Sequence, residues 1–275
     1  MQYLERKPAA PLDQYVRMLW WTRAPAVEHR RERILPNGCV QLILNLERDF
    51  LCDCPEGGPD VPIAPALVVG GRSVYEMVSS ADMADLIGVV FEPDGFALFA
   101  GDAVDRFSNR SIDLEDAWGA GSRVLRDRLR ETATVEARFA CLEAFLLKRW
   151  KARADRQRAG HDAAVRYALR CFERDPGLAT VNAVARSTGW SERRFSQVFR
   201  ETVGRSPKVW CRIQRFQRAV RLLHAGAEVR WAELALDCGF YDQSHFANEF
   251  RAFSGVDATT YSALRTHWAN HIRVD

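Results

Sequence analysis

The stretches VARSTGW (residues 184–190) and LALDCGF (residues 234–240) repeat one pattern about fifty residues apart. In each stretch a glycine follows an alanine by four positions, and two phenylalanines, another glycine and a closing aromatic residue come later. The small alanine lets two helices approach closely, and the glycine can adopt the positive φ that a tight turn requires. The repeat therefore predicts two successive helix-turn-helix units.

The second helix of each unit also has a recognisable start. Ser191 and Asp242 follow the two turns, and either side chain can cap the first turn of a helix by accepting a backbone hydrogen bond. With these starts, we place the two units at about residues 178–203 and 228–254.

A long helix is predicted between the two units. Ser206 and Pro207 are typical of a helix start, because serine caps the first turn and proline is tolerated there. Apolar side chains then recur on one face, at Val209, Ile213, Phe216, Val220 and Leu223. Gly226 ends the pattern, so we expect a rigid spacer that fixes one unit relative to the other.

The first ~92 residues have strand character instead. Apolar, β-branched and aromatic runs alternate with turn formers such as Pro36-Asn37-Gly38. These runs predict strands over residues 15–22, 40–46, 66–70, 74–78 and 84–91. Short strands at this spacing favour an antiparallel sandwich or a small barrel.

Helices are predicted after this strand-rich part. Residues 96–100 suggest a short helix, Asp113 a capped turn, and Thr134 the start of an amphipathic helix that extends past Trp150. The charged run at 148–158 places a domain boundary near 152–160. The sequence thus predicts an α+β protein. Residues 1–155 form a mainly β domain, a small barrel or sandwich with trailing helices, and residues 160–268 form an all-α domain with tandem helix-turn-helix units.

Composition excludes several classes of protein. The chain has 275 residues, of which 47% are hydrophobic and 27% charged, as in ordinary globular proteins. The sequence has no apolar run near the ~18 residues that span a bilayer and no signal-peptide pattern at residues 1–10. The seven scattered cysteines are typical of reduced thiols rather than a disulfide scaffold. We therefore expect a cytoplasmic protein with no membrane partner.

Charge is distributed unevenly along the chain. Residues 1–159 contain 22 Lys and Arg against 24 Asp and Glu, whereas residues 160–275 contain 17 against 12. A basic C-terminal half is compatible with a surface for nucleic acid.

The C-terminal motifs GRSPKVW (204–210), GFYDQSHF (239–246) and FRAF (250–253) carry a family resemblance. Together with the repeat, they resemble the AraC-type family of bacterial transcription factors over about residues 162–265. The resemblance implies a sequence-specific regulator whose monomer inserts two recognition helices into successive major grooves of double-stranded DNA. The order of the two domains suggests that this regulator responds to an effector. The second copy departs from the family pattern because Ala258 stands where a proline is usual, and Asp257 could cap that helix instead.

Candidate DNA contacts lie on the outward faces of the two recognition helices, opposite Phe195, Val198 and Phe199. Base contacts are expected from Arg193, Arg194, Gln197, Gln243, Ser244, His245 and Asn248. Phosphate contacts are expected from Arg200, Arg205, Lys208 and Arg251. Each of these side chains could instead be an exposed polar residue without a role in recognition, and His245 could pack locally.

The N-terminal part resembles an uncharacterised, sensor-like domain that often precedes such tails, over about residues 1–150. The motifs RERILPNGCVQLILNL (31–46), GVVFEPDG (88–95) and LEDAWG (114–119) carry this resemblance. It implies a domain that senses a small molecule or forms a homodimer. Arg33, Gln41 and Asn45 could line a pocket for an unknown effector, or could face solvent. RNA polymerase would be a further partner of an activator.

An alternative function involves cysteine chemistry at Cys52-Asp53-Cys54, in a regulator that responds to alkylation, thiols or metals. A zinc site needs four ligands, and only Cys39 is a nearby third thiol, so we predict no metal and no other cofactor. The nucleotide, zinc-protease and serine-hydrolase motifs are absent from the sequence. We therefore predict that the protein is not an enzyme.

Overall fold

The structure is a computed structural model that describes residues 2–23, 31–79, 84–154, 159–174, 177, 179–226 and 230–274. Its strands are β1 (Gln2–Arg6), β2 (Val16–Arg23), β3 (Arg31–Ile34), β4 (Gln41–Asn45), β5 (Leu51–Asp53), β6 (Val61–Ile63), β7 (Ala66–Val69), β8 (Glu76–Ser79), β9 (Asp85–Phe91), β10 (Ser111–Asp113) and β11 (His271–Val274). The predicted strands at 15–22, 40–46, 66–70, 74–78 and 84–91 are confirmed, each with bounds shifted by two residues or fewer.

The helices follow the strand-rich part. They are α1 (Ala97–Ala100), α2 (Leu114–Trp118), α3 (Gly121–Glu131), α4 (Val135–Ala154), α5 (Ala159–Arg174), α6 (Val181–Ser187), α7 (Glu192–Val203), α8 (Pro207–His224), α9 (Trp231–Asp237), α10 (Gln243–Ser254) and α11 (Ala258–Leu264). The predicted α+β class is confirmed. No helix in the described part of the chain is long and apolar enough to cross a membrane.

The N-terminal strands form an antiparallel sheet in the order β1-β2-β9-β4-β7-β10. Alternate residues of one strand point to opposite faces, so Leu42 and Leu44 join the core against the helices. Ile43 packs on the other face, which the β5–β6 hairpin covers. Among the described residues, β1 and β10 are the edge strands of this sheet, so it is an open sheet covered on both faces and not a closed barrel.

The main N-terminal core joins the sheet to α1, α3 and α4. Phe139, Leu142 and Leu146 of α4 are buried in it, and Thr134 caps that helix by accepting from the Ala137 amide at 3.2 Å. Phe91 lies 5.1 Å from Phe96 between ring centroids, within a group of buried aromatic rings. The sheet is therefore anchored on the helices that follow it.

The two helix-turn-helix units have the caps and turns predicted from the sequence. Ser191 accepts from the Arg194 amide at 3.3 Å, and Asp242 accepts from the His245 amide at 2.7 Å. The turn glycines, Gly189 and Gly239, have φ of +73° and +83°. Asp257 caps α11 through the Thr260 amide at 2.8 Å, so this helix starts without the family proline.

The described residues between 160 and 268 form helices, as predicted, and a strand that the sequence did not indicate follows them. Strand β11 pairs antiparallel with β3, which pairs with β8 in a second sheet of order β11-β3-β8. His271 also contacts Glu32 at 2.5 Å between Nδ1 and Oε2. Four residues are too few to show a clear alternation, and this strand forms because the edge of β3 is available to it.

The loop after β3 packs into the helical part of the chain. Leu35 is only 1% exposed and lies in the same core as Ile213, Phe216 and Ile272. Gln217 donates to the Pro36 carbonyl at 2.9 Å. Next in the loop, Gly38 has φ of +81°, and a Cβ there would lie 2.6 Å from the Trp210 ring.

These contacts bear on the predicted domain limits. The N-terminal and C-terminal parts share a sheet and a core, although a helical boundary region separates them along the sequence. The predicted boundary at 152–160 includes residues 155–158, which lie outside the described residues. The limits 1–155 and 160–268 stay predictions.

Replacing Leu35 with alanine tests the shared core. Leu35→Ala should lower the free energy of unfolding by about 2–5 kcal/mol, because it leaves a cavity among buried side chains. Leu236→Ala is the matched control, since Leu236 is 62% exposed, and it should change stability by no more than about 0.5 kcal/mol. Urea unfolding measures both, and an equal effect of the two substitutions would contradict the shared core.

Candidate nucleic-acid interface

The first candidate recognition helix is α7. Its buried face consists of Phe195, Val198 and Phe199, and these side chains pack in one core with Ala185 of the preceding helix. Arg193, Arg194, Gln197 and Arg200 are all exposed. Because residues three or four apart share a helix face, Arg193, Gln197 and Arg200 form one polar stripe. The structure therefore brings together the side chains predicted for the first unit.

Two of these side chains have local partners. Gln197 donates to the Glu201 carboxylate at 2.9 Å. The Arg194 guanidinium carbon lies 5.1 Å from the centroid of the Trp190 ring, a cation–π contact. The Gln197 amide keeps a second N–H and its carbonyl oxygen for a base, and Arg194 can keep its stacking on Trp190 while its guanidinium edge donates.

The second candidate recognition helix is α10. Gln243, Ser244 and Asn248 are exposed, and Phe246 and Phe250 bury the opposite face. His245 is half-buried, and its Nδ1 accepts from the Tyr241 amide at 3.2 Å. The ring thus braces the turn before α10, and only Nε2 is left to donate to a base.

An ion pair that the sequence analysis missed fixes α10 on the spacer helix. Arg212 of α8 donates to both carboxylate oxygens of Glu249, from Nε at 2.7 Å and Nη2 at 2.8 Å. The hydrogen bonds from Arg212 hold the pKa of Glu249 below its usual range, and the same bonds raise the pKa of Arg212. A bidentate pair of this kind restrains the rotation of the recognition helix.

Tyr241 is an exposed residue beside the second recognition helix that the sequence analysis did not include among the candidate contacts. It is 83% exposed and stands directly before Asp242, the N-cap of α10. An aromatic residue next to a helix N-cap in a GFYD motif was the available signal.

The candidate phosphate contacts are placed differently from one another. Lys208, in the first turn of α8, and Arg251, in the last turns of α10, are exposed. Arg200 is also exposed, but its Nε lies 3.3 Å from Oδ2 of Asp105, a residue of the N-terminal part. The carboxylate of Asp105 therefore occupies a position beside the polar stripe of α7.

Arg205 corrects the prediction of a phosphate contact. It is only 4% exposed, and its Nη1 donates to the Arg72 carbonyl at 2.7 Å. Its Nε and Nη2 are buried and have no hydrogen-bond partner among the described residues. Burial lowers the pKa of Arg205 to about 10. Arg205 follows Gly204, the C-cap of α7. Packing against the N-terminal part removes Arg205 from solvent, and its position in the sequence does not show this packing.

The three residues proposed for an N-terminal pocket have different surroundings. Asn45 is fully buried, and it donates to the Phe50 carbonyl at 3.1 Å while its Oδ1 accepts from the Glu47 and Arg48 amides. The pocket prediction for Asn45 is therefore wrong, since its amide holds a loop. Arg33 pairs with Glu56 at 3.0 Å and stacks on Tyr75. Gln41, on β4, is half-buried.

Two of the cysteines considered for the alternative function, Cys39 and Cys54, have surroundings that are unfavourable for reactivity. Burial raises the pKa of the Cys54 thiol to about 12 and also raises the pKa of Cys39. A reactive thiol has a lowered pKa instead. Within the described ranges, no group of three or more His, Cys, Asp or Glu side chains is arranged to hold a metal ion.

The pH dependence of stability tests the pair that positions α10. Because the folded protein lowers the pKa of Glu249, the carboxylate contributes stability above its ordinary value of 4.5 and loses it as the pH falls through the folded-state pKa. Glu249→Gln should therefore be less stable than the wild type at pH 7, and this gap should narrow at acidic pH. Urea unfolding of the wild type and the variant, at pH 7 and at an acidic pH below 4.5, measures this difference in the free energy of unfolding. Glu131→Gln, at an exposed position, should show no such gap, and a pH-independent gap for Glu249→Gln would contradict the assignment.

Comparison with known proteins gives two family matches. Residues 184–263 match a model described as a helix-turn-helix domain, and residues 4–113 match a domain of unknown function, DUF6597. No curated protein matches the chain.

Several solved structures resemble the chain. The C-terminal domain of AraT, a response regulator from Geobacillus stearothermophilus, is 24% identical, covers 38% of this chain and 86% of its own, and has a TM-score of 0.36. A regulator with an AraC-type DNA-binding domain from Chromobacterium violaceum is 23% identical, covers 40% of this chain and 97% of its own, and has a TM-score of 0.36. ToxT from Vibrio cholerae with a bound unsaturated fatty acid is 10% identical, covers 97% of this chain and 96% of its own, and has a TM-score of 0.46.

The helix-turn-helix match covers both copies of the repeat and the motifs GRSPKVW, GFYDQSHF and FRAF. The C-terminal part of this chain therefore matches a helix-turn-helix domain that is similar to those of AraC-type regulators, and its N-terminal part matches the domain of unknown function DUF6597.

Proposed function

We propose that this protein is a sequence-specific, effector-responsive transcription regulator of the bacterial cytoplasm. Its domains extend over residues 1–155 and 160–268, and the second binds double-stranded DNA. The observation that carries the proposal is a pair of capped recognition helices, α7 and α10, each with a polar face open to solvent. One continuous helix, α8, connects the two units.

The length of α8 suits the spacing of major grooves. It has 18 residues and so is about 27 Å long at 1.5 Å per residue. Successive major grooves on one face of DNA are about 34 Å apart. A helical spacer whose length is of this order, with Arg212 of the spacer paired to Glu249 of α10, supports the proposal that both recognition helices enter DNA together.

The exposed side chains suggest a division of roles. Arg193 has the two-pronged donor geometry that reads guanine, and Gln197 and Asn248 can each bind adenine through two hydrogen bonds. Arg194, Gln243, Ser244 and the free Nε2 of His245 supply further contacts to bases. Lys208, Arg251 and Arg200 neutralise phosphates, which contributes affinity but no base preference.

The effector response is supported by contacts from the N-terminal domain to both units. The 3₁₀ turn Val104–Phe107 packs on α7 and places Asp105 beside Arg200. Tyr75 donates its amide to the Phe253 carbonyl at 2.9 Å, at the end of α10. A small molecule that favours a different position of this domain would shift both units, and with them the affinity for DNA. A homodimer, or RNA polymerase for an activator, completes the proposed set of partners.

Selection from random duplex DNA tests the function. At near-physiological salt, the purified protein should enrich a two-part motif whose halves lie about 10 base pairs apart, because two heads read successive grooves. Enrichment of a single undivided motif would contradict two reading heads. Salt-sensitive binding without enrichment would contradict base recognition by this form of the protein.

Two substitutions separate base reading from phosphate binding. Arg193→Ala should weaken binding to the selected site by about 1–3 kcal/mol and relax the preference at one base position. Lys208→Ala should weaken binding to every DNA sequence equally, and the slope of log K against log salt concentration should become smaller by about 1. Fluorescence anisotropy with matched and mutated sites measures both. Lys151→Ala, on the exposed surface of α4, is the control. Unchanged base preference in Arg193→Ala would refute its role.

A further inference from the structure

A groove between α3 and α4 is not used by the function proposed above. It has a volume of about 770 Å³ and lies far along the chain from the recognition helices. Trp118, Val124 and Phe145 provide an apolar wall, and Val124 is 50% exposed. Small-molecule sites are mostly apolar clefts of about 300–1,000 Å³, so the groove has the size of a site for a small organic molecule.

The polar side chains that line the groove all have the same sign of charge. They are Arg128 from α3 and Lys148, Arg149 and Arg153 from α4, and the lining includes no aspartate or glutamate. None of the ion pairs in the described part of the chain involves these four side chains, although other arginines of α3 and α4 do pair with acids. The groove therefore has an uncompensated positive potential over an apolar wall.

Arg149 is held in a fixed position within the groove. Its guanidinium carbon lies 4.1 Å from the centroid of the Trp118 ring, and its Nε donates to the Phe99 carbonyl at 2.8 Å. Burial, with a smaller effect from the charge of Arg153, lowers the pKa of Arg149 to about 10. Its Nη groups remain available to an anion, whose charge would relieve the repulsion between the two guanidinium groups.

We propose that this groove binds a small organic anion with a flat apolar body. The body would lie against the Trp118–Phe145 wall, and a carboxylate or a similar oxyanion would accept hydrogen bonds from Arg149, Arg153 and Lys148. A second copy of the chain fits less well, because two such grooves would bring eight positive charges together without acidic partners.

A continuous segment connects this groove to the first recognition helix. Arg149 holds the Phe99 carbonyl, and the Arg153 guanidinium lies directly against Gly101. The chain then runs through the 3₁₀ turn Val104–Phe107 to Asp105, which pairs with Arg200 of α7. An anion that binds Arg149 and Arg153 would change their contacts with Phe99 and Gly101, and these residues belong to the segment that reaches α7. This step rests on the proposed function, whereas the binding site does not.

The site is tested with 8-anilinonaphthalene-1-sulfonate, which has a flat apolar body and one anionic group. Fluorescence titration of the full chain should give saturable binding of one probe per chain. Lys148→Glu and Arg153→Glu should each weaken binding about tenfold or more, because each removes a charge-assisted contact and adds repulsion. Lys151→Glu is the matched control, since Lys151 is exposed on α4 but does not line the groove. Thermal unfolding verifies that all variants are folded.

The outcomes separate the site from its occupants and from the proposed function. Equal probe binding by Lys148→Glu, Arg153→Glu and Lys151→Glu would overturn the site. If the chain forms a concentration-dependent dimer, and only Lys148→Glu and Arg153→Glu abolish it, the groove is an interface with a second copy. That result would also overturn the small-anion site. If the site holds, saturating probe should change the DNA affinity, and DNA should change the probe affinity by the same factor. If the wild type binds its DNA site and saturating probe does not change that affinity, only the link to α7 would be overturned. If the wild type shows no sequence-specific DNA binding at all, that result would count against the proposed function and not against the groove.

Discussion

The burial of Leu35 among the helices of the second reading unit is the contact on which the arrangement of the molecule depends. Because Leu35 shares a core with Ile213 and Phe216, the loop after β3 cannot move without disturbing the spacer helix. The β11–β3 pairing fixes the same loop from its other side. The N-terminal domain is thus connected to the DNA-binding domain through a packed core and a sheet, both of which resist small continuous deformations.

Electrostatics give this interface a different character near the first unit. Arg205 is buried there, and two of its guanidinium nitrogens have no hydrogen-bond partner in the part of the chain that the structure describes. An unpaired buried donor costs about 1–3 kcal/mol. The neighbouring contact between Arg200 and Asp105 is solvent-exposed and therefore weak. The interface combines a firm apolar contact at the second unit with a poorly compensated polar contact at the first. A shift of the N-terminal domain would consequently release the first unit more easily than the second.

Local signals in the sequence were sufficient for the elements but not for their assembly. Ser191, Asp242 and the glycines of the two turns act within a few residues of their own positions, so their roles were predictable. Arg205 and Asn45 depend on groups brought close by the fold, and a polar residue type alone does not distinguish a surface contact from a buried one. The pair Arg212–Glu249 joins residues 37 positions apart, and β11 needed the edge of β3. These tertiary effects carry no periodicity that sequence reasoning could detect.

The close approach of Gly38 to Trp210 has a consequence for how such regulators diversify. Gly38 belongs to one domain and Trp210 to the other, and the indole fills space that any side chain at position 38 would need. Recombination that joins this N-terminal domain to a different reading domain must therefore bring a flat or small residue at the matching position, or lose the interface. The two domains are consequently inherited best as a pair, and exchange of tails between distant relatives is restricted by one aromatic ring.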